Sequence, residues 1–422
     1  MSWFLAKNIT VSRQKYGLVL GKEHNCIKTK VWLWFFCKEH SESNAFSIFN
    51  FQFSILMTIT LIAGARPNFI KIAPIIHAIT KAKDKGHNIN YRLVHTGQHY
   101  DHAMSGSFFE QLSIPAPHAN LGCGGGTQAE QTAAIMVAFE KELMAHPADL
   151  VLVVGDVTST MACAITAKKL NTPVAHVEAG IRSGDLKMPE EINRIVTDSI
   201  TDHFFTTTLQ AGETLTRHGV QPDRIHFVGN VMIDTLLAHR HRFFKPEVWD
   251  QLTLKPKEYI VLTLHRPANV DEEEKLRNLI SEIIAQSRNL PLIFPVHPRT
   301  AAMLSKIGIA HPRLHTTPPR SYLEFNYLVE HARAVITDSG GITEEASIMR
   351  IPCMTLRDNT ERPETVTLGT NQLLGTNPSA SAPAMNKLFA NQWQQGSDIP
   401  LWDGKAAERI VDRLLEMENG NK

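Results

Sequence analysis

The sequence lacks an excess of either charge: 43 basic residues face 42 acidic ones over 422 residues, a formal net charge of +1. A nucleic-acid partner, which calls for a basic surface, is therefore not expected, and an anionic ligand has to be met by a local cluster of cations. Cysteine is sparse too. Cys26, Cys37, Cys123, Cys163 and Cys353 are scattered, with no C-x-x-C pair. That argues against a disulfide framework or a zinc site and fits a reducing, cytoplasmic compartment. No G-x-G-x-x-G follows a strand to open a helix, and no Walker loop or H-E-x-x-H occurs, so the chain offers no recognisable site for a nicotinamide cofactor or a metal. The nearest approach, Gly122 with Gly124, Gly125 and Gly126, has Thr127 in the final glycine position and no strand before it. It reads as a loop. Long apolar runs are nearly missing. Residues 43–65 carry no charge and are long enough to suggest a membrane span, but their second half is needed as the first strand of the fold, so no membrane partner is expected.

What is present divides sharply near Met57. Residues 1–56 hold seven of the 19 Phe, three of the six Trp and two of the five Cys. This break predicts an N-terminal extension outside the catalytic fold, from an upstream start; a signal or transit segment is the alternative. Beyond it, short apolar runs alternate with helical stretches. Residues 59–65, 91–97, 150–156, 174–180, 203–208 and 225–230 read as strands, several of them apolar on both faces as buried parallel strands are. The pattern then restarts with 259–266, 292–297, 334–340 and 353–358. Thr127 fits a helix cap, Asp271 with Glu274 resembles a capping box, and an amphipathic helix spans roughly 404–417. Strand and helix alternating twice predict an α/β protein of two Rossmann-like doubly wound domains facing a cleft, 57–230 and 231–403, joined near 229–234, with the last helix packing back on the first domain.

In such sheets ligands bind beyond the carboxyl ends of the strands, and here those ends are well furnished. The first series delivers Arg66, Asp156, Glu178 and Arg182; the second delivers His265 with Arg266, His297, and Asp338-Ser339-Gly340-Gly341. Ser339-Gly340-Gly341 opens a helix after an apolar strand, which suits a phosphate, although a plain tight turn has the same pattern. Arg66 and Lys71 flank a helix start marked by Pro67, where two cations can neutralise a diphosphate; a solvated helix face is the other reading. Glu190 and Glu191 in a first helical turn need no more than the helix dipole to explain them. Glu178 lies inside the apolar strand 174–180 and Asp156 follows another apolar run, where a buried carboxylate needs a reason.

GARPNFIKIAP (64–74), GQHYD (97–101), GDVTST (155–160), HVEAGIRSGD (176–185), PEEINR (189–194), VGNVMID (228–234), DSGGITEEA (338–346) and RDNTERPE (357–364) together resemble the non-hydrolysing UDP-N-acetylglucosamine 2-epimerases, in order and spacing, from about Met57 to near the C-terminus. The resemblance implies a glycosyltransferase-B-like pair of domains, no redox cofactor, a UDP-sugar substrate and a homodimer. It also implies a route in which UDP leaves with loss of the C2 proton and adds back with protonation on the other face. By that resemblance Arg66, Lys71 and Arg362 stabilise the departing diphosphate, and Asp156, Glu178, Glu190 and His265 surround the sugar as acid–base and orienting groups. Ser339, Gly340 and Gly341 then hold the diphosphate, Glu345 the ribose, and Phe325 lies near the uracil; Arg320 stands at another uridine-contacting position with a side chain unlike the expected one. Gln98, His99, Arg266 and His297 match a second, activating UDP-sugar site of some members. Here that site lacks an Arg near 122–127, and Pro267 follows Arg266 where a second Arg often stands. A UDP-sugar glycosyltransferase of the same architecture would explain Ser339-Gly340-Gly341 and Glu345 but not the acid–base set. A silent UDP-sugar sensor would need that set degraded, and a hydrolysing epimerase is a further alternative.

Overall fold

The structure, a computed structural model, describes residues 18–21, 32–35, 56–98, 108–296 and 298–420. The chain divides into two compact units, Met1–Ile55 and Leu56–Lys422. In the first, Leu18–Gly21 pairs antiparallel with Trp32–Phe35. The second begins one residue before its first strand, β1 (Met57–Ala63), so the uncharged run at 43–65 ends in a sheet. Among the described residues no helix is long and apolar enough to cross a membrane. A protein starting at Met57 is expected to keep the specific activity and the cooperative thermal transition of the full chain. Insolubility or inactivity of that protein beside an active full chain would overturn the boundary.

The larger unit holds two parallel sheets. The first contains β1, β2 (Ile89–His95), β3 (Ala119–Asn120), β4 (Leu150–Val154), β5 (Val174–Val177), β6 (His203–Thr206) and β7 (Ile225–Phe227), in the spatial order β3-β2-β1-β4-β5-β6-β7. The second contains β8 (Ile260–Thr263), β9 (Leu292–Pro295), β10 (Leu314–Thr317), β11 (Ala334–Thr337), β12 (Cys353–Thr355) and β13 (Asn371–Leu373), ordered β10-β9-β8-β11-β12-β13. β4 and β5 are buried along their whole length, as their unbroken apolar runs require of strands covered on both faces. The short strands β3, β10 and β13 lie at or towards the sheet edges, and no apolar run in the sequence marks them. In both sheets the order reverses beside the first strand, and Ile59 registers with Leu150 while Ile260 registers with Ala334. The chain leaving β1 is thus set beside the chain leaving β4, and the chain leaving β8 beside that leaving β11. These are the switch points where open parallel sheets accept ligands.

Local signals fix the helices. Thr127 Oγ1 accepts the Glu130 N–H at 3.3 Å while Glu130 returns a bond to the Thr127 N–H at 2.8 Å, a capping box that starts Gln128–Ala145. At 271–274 the expectation fails: the helix runs Glu273–Gln286 from N-cap Glu272 without a side-chain cap, and its first-turn acids instead complement the dipole. The last helix, Ala406–Gly420, returns to the first sheet's core, placing Ile410 and Leu414 among Phe69, Ile72 and Ile76. Its start is held by Asp234, which accepts the N–H groups of Ala406 and Ala407 at 3.1 and 2.7 Å.

Candidate active site

The turn after β1 is tied by Asn68, whose Oδ1 accepts the N–H groups of Gly64 and Ala65 at 3.1 and 3.0 Å and whose Nδ2 donates to Val154 O at 3.0 Å. The helix Arg66–Asp84 follows this turn. Arg66 opens that helix; its side chain is outside the described residues. Lys71, one turn on, is buried, and its Nζ donates to Glu178 Oε2 at 2.8 Å. Gly155 has φ +66°, and a Cβ there would sit 2.7 Å from Lys71 Nζ. A side chain at that φ is strained, and its Cβ would press on the Lys71 ammonium, so glycine suits this turn after β4.

Asp156 follows. Its carboxylate takes a short bond from Arg194 Nη2, and Asn193 Nδ2 donates to its backbone carbonyl at 2.8 Å. Burial would raise the Asp156 carboxyl, but Arg194 and Lys71 outweigh burial and hold it below the usual range. Glu178 is not within a strand: β5 stops at Val177, and Glu178 takes φ +71°. That left-handed turn is strained for a residue with a side chain. The N–H groups of Glu178 and Ala179 both donate to Phe205 O, at 3.0 and 3.1 Å. Next to it His176 is spent on structure, with Nδ1 on Asp198 at 2.7 Å and Nε2 on Gly155 O at 2.8 Å. Of the two acids at 190–191 it is Glu191 that is buried, binding Ser183, Gly184 and Arg194, while Glu190 is half-exposed near Arg266.

At the second switch point His265 Nδ1 lies 2.7 Å from Asp338 Oδ1. Asp338 is fully buried; it also accepts the N–H groups of His265 and Arg266 and the Asn269 amide. Against burial, these bonds hold the Asp338 carboxyl below its ordinary range. The pair fixes the His265 ring with Nδ1 as donor, and the side chain, 55% exposed, presents Nε2 outward. This dyad was not legible in the sequence, where Asp338 is only a strand end. Helix Gly340–Ile348 starts at Ser339, so the N–H groups of its first turn have no intrahelical acceptor.

Farther along that helix, Glu344 and Glu345 are both buried. Glu344 Oε1 accepts from Asn230 at 2.8 Å and from Arg362 Nε at 2.5 Å. Glu345 accepts the Tyr322 hydroxyl at 2.8 Å, and burial pushes its carboxyl up to about 7. Phe325 is half-buried in the cluster that includes Ile342, and Arg320 is half-buried with a Nε that has no partner. Arg362 joins the two rims: its Nη2 donates to Glu178 Oε2 at 2.8 Å. Burial disfavours the Glu178 charge, but Lys71 and Arg362 together hold its carboxyl below the usual range. Its other oxygen, Oε1, and the neighbouring Arg362 Nη1 are buried without a hydrogen-bond partner. Gln98 is turned inward, its Oε1 accepting from Ser159 N and Oγ at 3.2 and 2.8 Å. Arg266 spends its Nε on Asp338 O at 3.1 Å. His99 and His297 fall outside the described residues.

The family model described as UDP-N-acetylglucosamine 2-epimerase matches residues 81–415. A UDP-N-acetylglucosamine 2-epimerase of Methanocaldococcus jannaschii is 40% identical over 375 residues, covering 85% of this chain and 99% of that protein. The chain belongs to the UDP-N-acetylglucosamine 2-epimerase family. Membership makes it an isomerase. The crystal structure of the M. jannaschii epimerase in complex with UDP-GlcNAc and UDP matches with a TM-score of 0.78 at 39% identity, over 85% of this chain and 100% of that one. The two parallel sheets are thus those of a solved epimerase. A UDP-2,3-diacetamido-2,3-dideoxy-D-glucuronate 2-epimerase of Pseudomonas aeruginosa is 36% identical over 365 residues, covering 86% of this chain and 100% of that protein.

Proposed function

We propose that this protein interconverts UDP-N-acetylglucosamine and UDP-N-acetylmannosamine without hydrolysis, supplying a surface-polysaccharide precursor in the cytoplasm. One observation carries the reading. Glu178 and Arg362 are ion-paired through Oε2 and Nη2, yet Glu178 Oε1 and Arg362 Nη1 are buried with no hydrogen-bond partner, and a UDP-sugar supplies a donor for one and an acceptor for the other. In the forward direction the C1–O bond breaks with both electrons going to UDP, while the C2 proton passes to a carboxylate, leaving a glycal. Return of UDP to C1 with a proton delivered to the opposite face of C2 gives the epimer. The C2 proton is weakly acidic, so stabilising the leaving diphosphate carries much of the barrier. Arg66, Lys71 and Arg362 with the helix start at Ser339, Gly340 and Gly341 take that role. Asp156, Glu178, Glu190 and His265 serve the sugar. Glu345 receives the ribose hydroxyls, which favours its ionised form, and Phe325 and Arg320 flank the base. No metal or nicotinamide has a role in this route. The buried free thiols Cys123, Cys163 and Cys353 suit a reducing compartment.

The test is proton NMR in deuterated water with a chelator present, started from UDP-N-acetylmannosamine alone. We expect conversion to UDP-N-acetylglucosamine with deuterium at C2. Release of free sugar, dependence on added metal, or turnover only of a diacetamido-uronate would overturn the reading. Conversion is also expected at full rate without a trace of UDP-N-acetylglucosamine. Gln98 is engaged internally and the glycines at 122–126 stand where an activator-binding Arg would be, and one lost charge-assisted contact weakens binding roughly ten- to a hundredfold. A lag abolished by that trace would show that the second site works.

Homodimerisation belongs to the proposal. Helices Gln128–Ala145 and Pro189–Ile200 flank Thr158–Lys169 and expose Val137, Met144, Ile192 and Ile195 at 55, 67, 48 and 39%, an apolar face of the kind that marks an interface. The protein is expected to sediment as a dimer and Ile192→Glu with Ile195→Glu as a monomer. Identical sedimentation of the two would remove this face from consideration.

A further inference from the structure

Two neighbouring residues of the second half of the larger unit carry opposite charges, and each meets a partner in the first half. Arg362 bonds Glu178. Glu361 Oε1 lies 3.7 Å from Arg194 Nη2, the same nitrogen that donates to Asp156. Glu361 is held from behind by Arg357, whose Nη1 and Nη2 donate to it at 2.6 and 2.7 Å, with Arg266 Nη2 at 3.8 Å. It is 8% exposed, and the arginines push its carboxyl down to about 2 despite burial. A carboxylate buried among three arginines is more than a turn between β12 and β13 requires.

We propose that Glu361 is a positioning residue which, with Arg362, forms a two-toothed latch that sets the charge balance of the site when the second half is seated on the first: Arg362 favours ionised Glu178, and Glu361 draws Arg194 away from Asp156, so that Asp156 keeps the basicity to take a proton. The contact between the halves at this point is made of ion pairs, which permit relative movement more readily than an apolar seam. Asp156 faces Arg194, Lys71 and Arg362, with Glu178 close by; Glu178 faces Lys71, Arg362 and Asp156. Glu361 competes with Asp156 for one guanidinium nitrogen. With its charge removed, Arg194 is left to Asp156 and Glu191 alone, and Asp156 ionises more readily. With the Arg194 charge removed, the opposite follows.

The inference rests on the functional reading above, and its test is the pH dependence of kcat for the unmodified chain, Glu361→Gln, Arg194→Met and Glu361→Asp. The acidic limb of Glu361→Gln is expected to move to lower pH and that of Arg194→Met to higher pH, each by roughly one unit. In Glu361→Gln kcat falls about tenfold while KM changes less than about threefold, and Glu361→Asp recovers most of the loss. If Arg194→Met does not fold, the limb of Glu361→Gln decides alone. Turnover with coincident limbs overturns the latch and leaves the functional reading standing. An unmodified chain that neither binds UDP nor turns over a UDP-sugar overturns the functional reading and the latch with it.

Discussion

Asp156→Asn, Glu178→Gln and His265→Asn are each expected to lower kcat by about a hundredfold or more, the scale of a lost acid–base group. The three changes are not equally clean. Asp156→Asn leaves Arg194 with Glu191 and Glu361, so the fold should be undisturbed and the loss confined to turnover. His265→Asn removes a half-exposed ring and leaves Asp338 bonded to two backbone N–H groups and Asn269, again a local change. Glu178→Gln takes the shared acceptor from Lys71 and Arg362, and a stability loss is expected beside the kinetic one. Rates compared at a temperature well below each variant's midpoint, together with deuterium uptake at C2, separate the two effects. Turnover within about threefold of the unmodified chain in all three variants would remove these residues from the chemistry.

The largest effect on stability is expected from Arg362→Met. Arg362 is 8% exposed and pairs with Glu178 at 2.8 Å and Glu344 at 2.5 Å. Breaking a buried pair from one side strands the other charge at a cost of about 3–5 kcal/mol; here Glu344 is left with only the neutral Asn230 amide, while Glu178 keeps Lys71. Burial already raises the Glu344 carboxyl, against the pull of Arg362; without the guanidinium it rises further, and Glu178 rises with it. A carboxyl whose folded pKa exceeds its unfolded one binds its proton more tightly in the native state, so stability falls as pH climbs through that window. The penalty of Arg362→Met should therefore be smaller near pH 5 than near pH 8, as read by urea denaturation at both. An equal penalty at the two values would mean that Arg362 acts by packing and not by charge.

Some residues were visible in the sequence because a strand end is a place. β1, β4, β8 and β11 are unmistakable apolar runs, and the side chains just after them, Arg66, Asp156, His265 and Ser339, could be nominated before any contact was known. Other features were hidden because their signal is not local. Asp338 is an unremarkable acid until register sets β8 beside β11 and brings it to His265, 73 residues away. Arg194 and Glu361 stand inside the motifs PEEINR and RDNTERPE with no role assigned to either, and each acquires one only through a partner far along the chain. Glu178 was noticed because it reads as part of an apolar strand, yet the left-handed turn it actually occupies gives no sequence signature, since that conformation favours glycine.

By itself, then, the sequence determined the class of fold, the break at Met57, and which residues arrive at the rims of the two sheets, because burial periodicity and chain punctuation are local properties. Only the tertiary structure decided which of those residues meet: that Lys71 and Arg362 share one oxygen of Glu178, that Asp338 orients His265, and that Glu361 reaches Arg194 beside Asp156. Charge pairing acts through space over a few ångströms, and distance along the chain does not encode it.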